Sequence, residues 1–429
     1  MKLKSSSKKI AAFSKFPLSI STILILYGLL EVALTLAGSN KWPQWGGPDR
    51  NFRSKSKGLA SSWPTSGPHI VWSRKLGEGY SGIVGDSNTL YTMYRKSTEE
   101  IVISLNARTG TTLWEQGYSA PFIEKQMGME NGAGPHSTPL LVGRRLYTVG
   151  VTGKLHCLDA QSGRILWRHD LIQEFGATVL FRGYSCHPIA YQNSVIVTAG
   201  GANRAVMAFS QQNGALLWKK QDFKNSHSSP ILINLDGQDQ LVVFVDKEIA
   251  GLDPKNGELI WSYTHGAFGD NIASTPVWAQ GNLLFCSSAY DNGSRVLKLT
   301  RTNGKTNATE LWFTNKLRVH HGNVVNVGSD IYGSSGSFGP ALFTAMDLRS
   351  GTILWQNRDF PKATCLYADG KLIILAEDGS LALAVPTPEG LQILSRIELL
   401  KRNAWTPPSL IGSRLHLRDR STIMTLDLR

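Results

Sequence analysis

Leu158-Asp159-Ala160-Gln161-Ser162-Gly163-Arg164-Ile165-Leu166-Trp167 is the stretch whose reading decides the fold. An apolar strand ends, Asp opens a polar turn, Gly closes it, and a second apolar strand runs to Trp. Asp or Asn accepts from backbone amides inside a tight turn, and Gly supplies the positive φ that a hairpin needs. The Trp then has a large apolar face to bury against a neighbouring element. The same chemistry recurs at residues 105–114, 209–218, 252–261 and 346–355, and at 299–312 with an insertion after Gly304. The tryptophans lie about 40 to 55 residues apart, the period of a four-stranded propeller blade.

A second recurring piece precedes each copy: Ser or Thr before Pro, an apolar strand, a polar turn and another strand. It reads Ser137-Thr138-Pro139, His187-Pro188, Ser229-Pro230 and Ser274-Thr275-Pro276, with weaker members starting at Ser81, Gly322, Thr364 and Thr406. That makes eight first strands. Residues 67–72 read as a fourth strand with no first three before it, and Leu426-Asp427-Leu428-Arg429 ends a third strand with no fourth after it. Joining the two predicts an all-β, eight-bladed propeller of four-stranded antiparallel blades, closed by an N-terminal strand that completes the C-terminal blade and removes an open edge. Blade seven, starting at Thr364, lacks the Trp, and Ile393 or Leu394 is expected in its place.

The Asp-Ala-x-x-Gly-x-x-x-Trp segments resemble the tryptophan-docking repeats of quinoproteins and their noncatalytic relatives, over nearly all of residues 67–429. The opening Trp42-Pro43-Gln44-Trp45-Gly46-Gly47-Pro48 is similar to the start of bacterial PQQ-like repeat proteins. The resemblance implies an eight-bladed propeller, and its noncatalytic, BamB-like branch includes an envelope scaffold that helps assemble outer-membrane barrels. Other members are quinone-dependent alcohol dehydrogenases. Fold alone does not choose between them.

The expected organisation is a signal peptide or membrane anchor at residues 1–38, a Trp/Pro/Gly-rich extension at 39–66, and the propeller at 67–429. Lys2, Lys4, Lys8, Lys9 and Lys15 precede an apolar run that ends in the small residues Ala37-Gly38-Ser39. This is the pattern of an export signal, and it predicts a periplasmic or secreted protein after cleavage. The alternative is an uncleaved inner-membrane anchor with the propeller outside the cytoplasm, because residues 18–36 carry Glu31 as their sole charge and are just long enough to span a bilayer. The extension around residues 42–63 is too aromatic for a solvated linker. It is expected to lie against the propeller, covering a face or side, with Trp42 and Trp45 as anchors; partner binding is the alternative.

The formal net charge is +13. That excess suits an anionic surface, but the part after the leader has no basic run, aromatic RNA-binding signature or zinc-finger spacing, so nucleic acid is not an expected partner. Cys157, Cys186, Cys286 and Cys365 form no CxxC pair and fall in or beside strands, where buried thiols are expected.

Catalytic motifs are lacking: there is no Gly-x-Ser-x-Gly elbow, no His-Glu-x-x-His and no phosphate-binding loop. The family resemblance raises PQQ with calcium as the alternative to no cofactor. It would imply several acidic metal ligands and adjacent cysteines, whereas the chain has no adjacent cysteines and, near the first strands, chiefly Glu130 and Asp270. No catalytic or metal residue is assigned. Counting three residues back from each first-strand Pro or its equivalent gives Tyr80, His136, Ser185, His227, Ala273, His321, Lys362 and Trp405, with Tyr184, His187, Asn271 and His320 as neighbours. In the family the loops leading into the innermost strands share one face around the central channel. Tyr80, His136, Tyr184, His187, His227, Asn271, His320, His321 and Trp405 are therefore the candidates for binding a small-molecule ligand or an envelope protein. Two other readings stay open: the side chains bond exposed backbone at the channel mouth, or the imidazoles take a metal without local ligand spacing. The function expected is an exported, monomeric ligand-binding or protein-interaction module of the cell envelope. A quinoprotein-type oxidoreductase of alcohols or sugars is the alternative.

Overall fold

A computed structural model describes residues 40–121, 132–266, 272–290, 292–336 and 341–429. The expected leader, residues 1–38, lies outside them. Every sheet is antiparallel within its blade, and there are eight of them. Blade one comprises Val84–Asp86, Thr89–Lys96, Glu99–Asn106 and Thr112–Ser119, each pairing with the next. Blades two to seven repeat that meander from Leu140–Val142 through Gly390–Glu398. Blade eight takes Ser409–Ile411, Arg414–Arg418 and Thr422–Asp427 from the C-terminal end and His69–Lys75 from the other, with His69 opposite Asp427 and Lys75 opposite Thr422. The eight-bladed, strand-closed ring is thus as the sequence predicts. Middle strands such as Ser194–Thr198 and Leu283–Ser288 are buried along their whole length, because both faces of each sheet pack on a neighbouring blade. The described residues include one five-residue helix, Leu171–Phe175, and no helix long and apolar enough to cross a membrane. All four cysteines are free and buried.

The repeat residues have separate duties. Asp159 Oδ1 accepts from the amides of Gln161 and Ser162, and Asp347 Oδ1 does the same for Arg349 and Ser350. In most blades the Trp reaches out of its own blade. Trp114 Nε1 donates to Ala160 O at 3.0 Å, Trp72 to Ala107 O at 2.9 Å, and Trp312 to Leu348 O at 2.9 Å, always in the turn of the next blade. Its ring lies on that turn's glycine. A Cβ on Gly163 would stand 2.5 Å from Trp114 Cε3, and φ there is +74°.

Two blades depart from this scheme. The longer hairpin of blade five, Gly293–Thr302 and Lys305–Thr314, displaces the turn that would receive Trp261. Trp261 is buried instead, donating to Gln240 Oε1 at 2.7 Å, while Gln240 Nε2 reaches Thr306 Oγ1 of blade five. In blade seven neither Ile393 nor Leu394 takes the Trp place. The strand bulge puts Ser395 at the Trp register, opposite Leu383, and its hydroxyl accepts from the amide of Trp63. Ile397 then covers Gly67, the glycine before the closing strand.

The extension also differs from expectation. It threads the central channel instead of covering a face. Lys41–Trp42 adds an antiparallel strand to the first strand of blade one, and Arg53–Ser54 a parallel one to the first strand of blade seven. Between them the chain turns at Gly46 and Gly47, with Phe52 N bonded to Gly46 O. Trp42 is buried, and the ring of Trp45 meets Phe52 edge-on at 5.1 Å.

The docked ring predicts unequal costs for two chemically identical substitutions. Gly163→Ala and Gly304→Ala both force a left-handed φ, but nothing lies within 4 Å of a Cβ at Gly304. Gly304→Ala should cost about 1 kcal/mol, and Gly163→Ala about 1–3 kcal/mol more, because the indole must shift. Thermal melting of the two variants checks this; equal losses would remove the ring from the account.

Candidate site at the channel mouth

A belt of hydrogen bonds fixes where the first strands begin. Two residues before the Pro register, Ser137 Oγ donates to Cys186 O and Ser228 Oγ to Ser274 O, each one blade on. One residue before it, Gly82 N donates to Thr138 Oγ1, Thr138 N to His187 Nδ1, and His187 N to Ser229 Oγ. His187 thus occupies a Ser/Thr position, and its Nδ1 does the work of a hydroxyl oxygen. Burial pushes its pKa down to about 3, so the acceptor stays unprotonated.

One step further out, Tyr80, His136, Ser185, His227, Ala273, His321, Lys362 and Trp405 all line one cavity of about 540 Å³. Each comes from a different blade. Tyr80 lies between His136 and Trp405, with centroids at 5.7 and 5.1 Å and the rings near parallel. His321 adjoins Trp405 at 4.6 Å. His320 also lines the cavity, with Nδ1 at 2.9 Å from His321 Nδ1 and Nε2 at 2.9 Å from the Tyr290 hydroxyl. Ser185 Oγ and His227 Nδ1 are 2.7 Å apart. Burial, followed by neighbouring positive charge, pushes His136, His320 and His321 well below the ordinary imidazole range, so these rings are neutral at pH 7.

Trp45 closes the inner end. Its indole donates to Thr275 Oγ1 at 3.0 Å and lies 4.0 Å from the His187 ring. Both partners sit at the Ser/Thr register, deeper along the first strands than the lining ring, so the extension forms a floor and the cavity is blind. Arg182, Lys362 and Arg402 supply cations to the lining, against Glu377. Glu377 is engaged: Trp405 Nε1 donates to Oε2 at 3.1 Å, and Arg402 stands 4.0 Å from Oε1.

Among the named candidates, Tyr80, His136, His187, His227, His320, His321 and Trp405 meet here. Tyr184 does not. It is buried in the apolar cluster of blades two and three, its hydroxyl donating to Ala199 O at 3.0 Å, because adjacent residues of an extended segment point opposite ways. Asn271 lies outside the described residues, as do Glu130 and Asp270. Sequence reasoning missed Trp45, Arg182, Tyr290, Glu377 and Arg402. Arg182 and Arg402 stand three residues before register members Ser185 and Trp405, so extending the count would have found them. Tyr290 and Glu377 follow second strands, whose outgoing turns share the mouth face.

A calcium-bound quinone needs several oxygen ligands on its metal. The described lining offers one carboxylate, already held by an indole and a guanidinium, amid three cations. That donor set does not fit the cofactor. No group of three or more His, Cys, Asp or Glu among the described residues is placed to hold a metal ion.

His187 gives a pH dependence of stability. Its folded pKa is depressed below the ordinary 6.5, so the unfolded chain binds more protons between about pH 3 and 6.5. Stability is full above that window and falls as pH drops through it. His187→Gln keeps an oxygen for the Thr138 amide but removes the titration. The variant's melting free energy should fall less steeply between pH 6.5 and 4.5, by about 1 kcal/mol per pH unit. Parallel profiles would show that His187 does not titrate with folding.

Comparison with known proteins agrees with this architecture. A family model, PQQ_2, described as "Outer membrane protein assembly factor BamB", matches residues 98–357. The outer membrane protein assembly factor BamB of Yersinia pestis is 21% identical over 345 residues, 79% of this chain and 73% of the relative. The BamB structure from Moraxella catarrhalis superposes with a TM-score of 0.61 at 18% identity, covering 84% of this chain and 97% of that one. A quinohemoprotein alcohol dehydrogenase from Comamonas testosteroni gives 0.66 at 14% identity, over 93% and 82%. At such identities the solved structures share the fold alone. The matched span is more than half the chain, and the chain belongs to the family of the outer membrane protein assembly factor BamB.

Proposed function

We propose that this chain is a noncatalytic interaction module of the bacterial envelope that takes part in outer-membrane protein assembly and binds through the channel mouth. Residues 1–38 direct export, residues 39–66 form the extension whose tip is Trp45, and residues 67–429 form the propeller. The observation that carries this reading is the convergence of one residue from each of eight blades on a single blind cavity. Such a site is built by register alone, and the side chains around it are aromatic and imidazole groups with adaptable hydrogen bonding, suited to recognition. The family's role in outer-membrane protein assembly supplies the envelope setting.

Two measurements test it. Changing His136, His227 and His321 together to Ala should leave the blades folded and the melting temperature nearly unchanged. Outer-membrane assembly components that copurify with the tagged wild-type chain from solubilised envelopes should then be lost. If the bare wild-type chain captures none of them, the assembly reading fails; if the triple variant captures them undiminished, the mouth is not the binding surface. N-terminal sequencing of the exported protein should begin near Ser39. A chain retaining residue 1 in the membrane fraction would favour the anchor.

A further inference from the structure

Beyond the Trp45 floor, on the side of the channel away from the mouth, lies a second cavity of about 170 Å³. Residues 49–52 of the extension form one wall. Blades four, five and six form the other with the starts of their first strands, at Ile231, Val277 and Val324. Phe52 lines this cavity and Trp45, packed edge-on against Phe52, lines the other, so the aromatic pair separates the two.

Arg50 borders the inner cavity, and its guanidinium makes no hydrogen bond, ion pair or ring contact with any described residue. By contrast the buried Arg95, Arg295 and Arg418 all donate to backbone carbonyls. Burial is the sole cause that pushes the Arg50 pKa down, to about 9, so no carboxylate compensates a charge that persists at pH 7. Asp49, exposed at the rim, makes no ion pair among the described residues. Arg50 is half-buried because it borders open space, although it lies inside the ring. Asn51 brings a second donor: its Oδ1 accepts from Arg53 N at 3.0 Å, and its Nδ2 has no partner among the described residues. Arg50 and Phe52 both hold φ at 55°, left-handed backbone that residues with a Cβ adopt at a cost. The turn thus places a long cationic side chain in the channel against backbone preference.

We propose that the inner cavity holds one small free oxyanion, of the size of phosphate, sulfate or acetate, clasped by the Arg50 guanidinium and the Asn51 side-chain amide. A planar fork of N–H groups meets two oxygens of such an ion at once. The volume leaves no room for a sugar or a nucleoside on the same ion. An enclosed charge without a partner is costly, and the anion removes that cost. Because its site exists only when residues 49–52 are in the channel, the anion clips the extension in place. The site lies beyond the floor and does not depend on what the mouth binds.

The probes are inorganic phosphate, acetate and a hexose bisphosphate, each added at about 10 mM to the purified chain with ionic strength held constant by chloride. Kosmotropic anions stabilise proteins in general, so the readout is the difference between the wild type and Arg50→Gln. Phosphate should raise the melting temperature of the wild type by about 1–3 °C more than that of the variant, with half the effect near about 1 mM. Acetate should act in the same direction, and the hexose bisphosphate should act equally on both chains. Hydrogen exchange of the amides in residues 41–54 should slow about threefold with phosphate in the wild type and stay unchanged in the variant. Arg50→Lys keeps the charge without the fork and should need about tenfold more phosphate. In chloride alone Arg50→Gln should melt no lower than the wild type, because it removes an unpaired charge.

Equal phosphate responses of the wild type and Arg50→Gln would overturn the site. A lower melting temperature for Arg50→Gln in chloride alone would show that Arg50 is already satisfied within the protein, and would overturn it too. A hexose bisphosphate response that Arg50→Gln abolishes would overturn the assignment to a free ion, and an undiminished response of Arg50→Lys the role of the fork.

Discussion

The indole of a blade's outermost strand rests on the turn glycine of the next blade and donates to a carbonyl in that turn, so most blades are completed by a neighbour. Trp72, Trp114 and Trp312 all make this bond. The coupling is between adjacent units alone, and a chain of such units is stable in proportion to its interfaces. An open chain of blades would leave one unmatched face at each end. Pairing His69–Lys75 with Thr422–Asp427 removes both, which is why the strand separated most widely in sequence from its partner is the one that closes the ring.

A second belt runs at the inner radius, where hydroxyl and imidazole groups receive the amides of the preceding blade. The two belts set the rotation and height of each sheet independently. With both fixed, the residue one step above the inner belt has no freedom to leave the cavity wall. The site is therefore a consequence of the packing that holds the ring together. His187 shows how closely the two are joined: it lines the cavity, yet its Nδ1 belongs to the belt.

The fold was legible because its determinants are local. Asp, Gly and Trp act at fixed spacing, and a repeated spacing announces itself in one sequence. The eight-position register was legible for the same reason. What stayed hidden was set by contacts across the molecule. Ser395 stands where a Trp was expected because the extension arrives there, bringing the Trp63 amide to the Ser395 hydroxyl. Trp261 turns inward because the next blade's hairpin is longer. Tyr184 follows the alternation of an extended segment, which a count from proline does not record.

The extension was the least legible element, since two short strands of two residues carry no period. Its path is set by the first strands it joins. Those strands run from the cavity toward the remote end of the channel. Lys41 lies opposite Asp86 and Arg53 runs beside Tyr367, so the segment enters from that remote end, turns at Trp45 and returns. Two consequences follow from one path. Asn40 accordingly lies at the end of the channel away from the mouth. The floor of the cavity is also made by a segment that adds strands to blades one and seven, so seating the extension both tightens the ring and turns an open channel into a closed site. A ligand that rests on Trp45 is then thermodynamically linked to that seating: whatever stabilises the extension in the channel strengthens binding, and binding holds the extension in place.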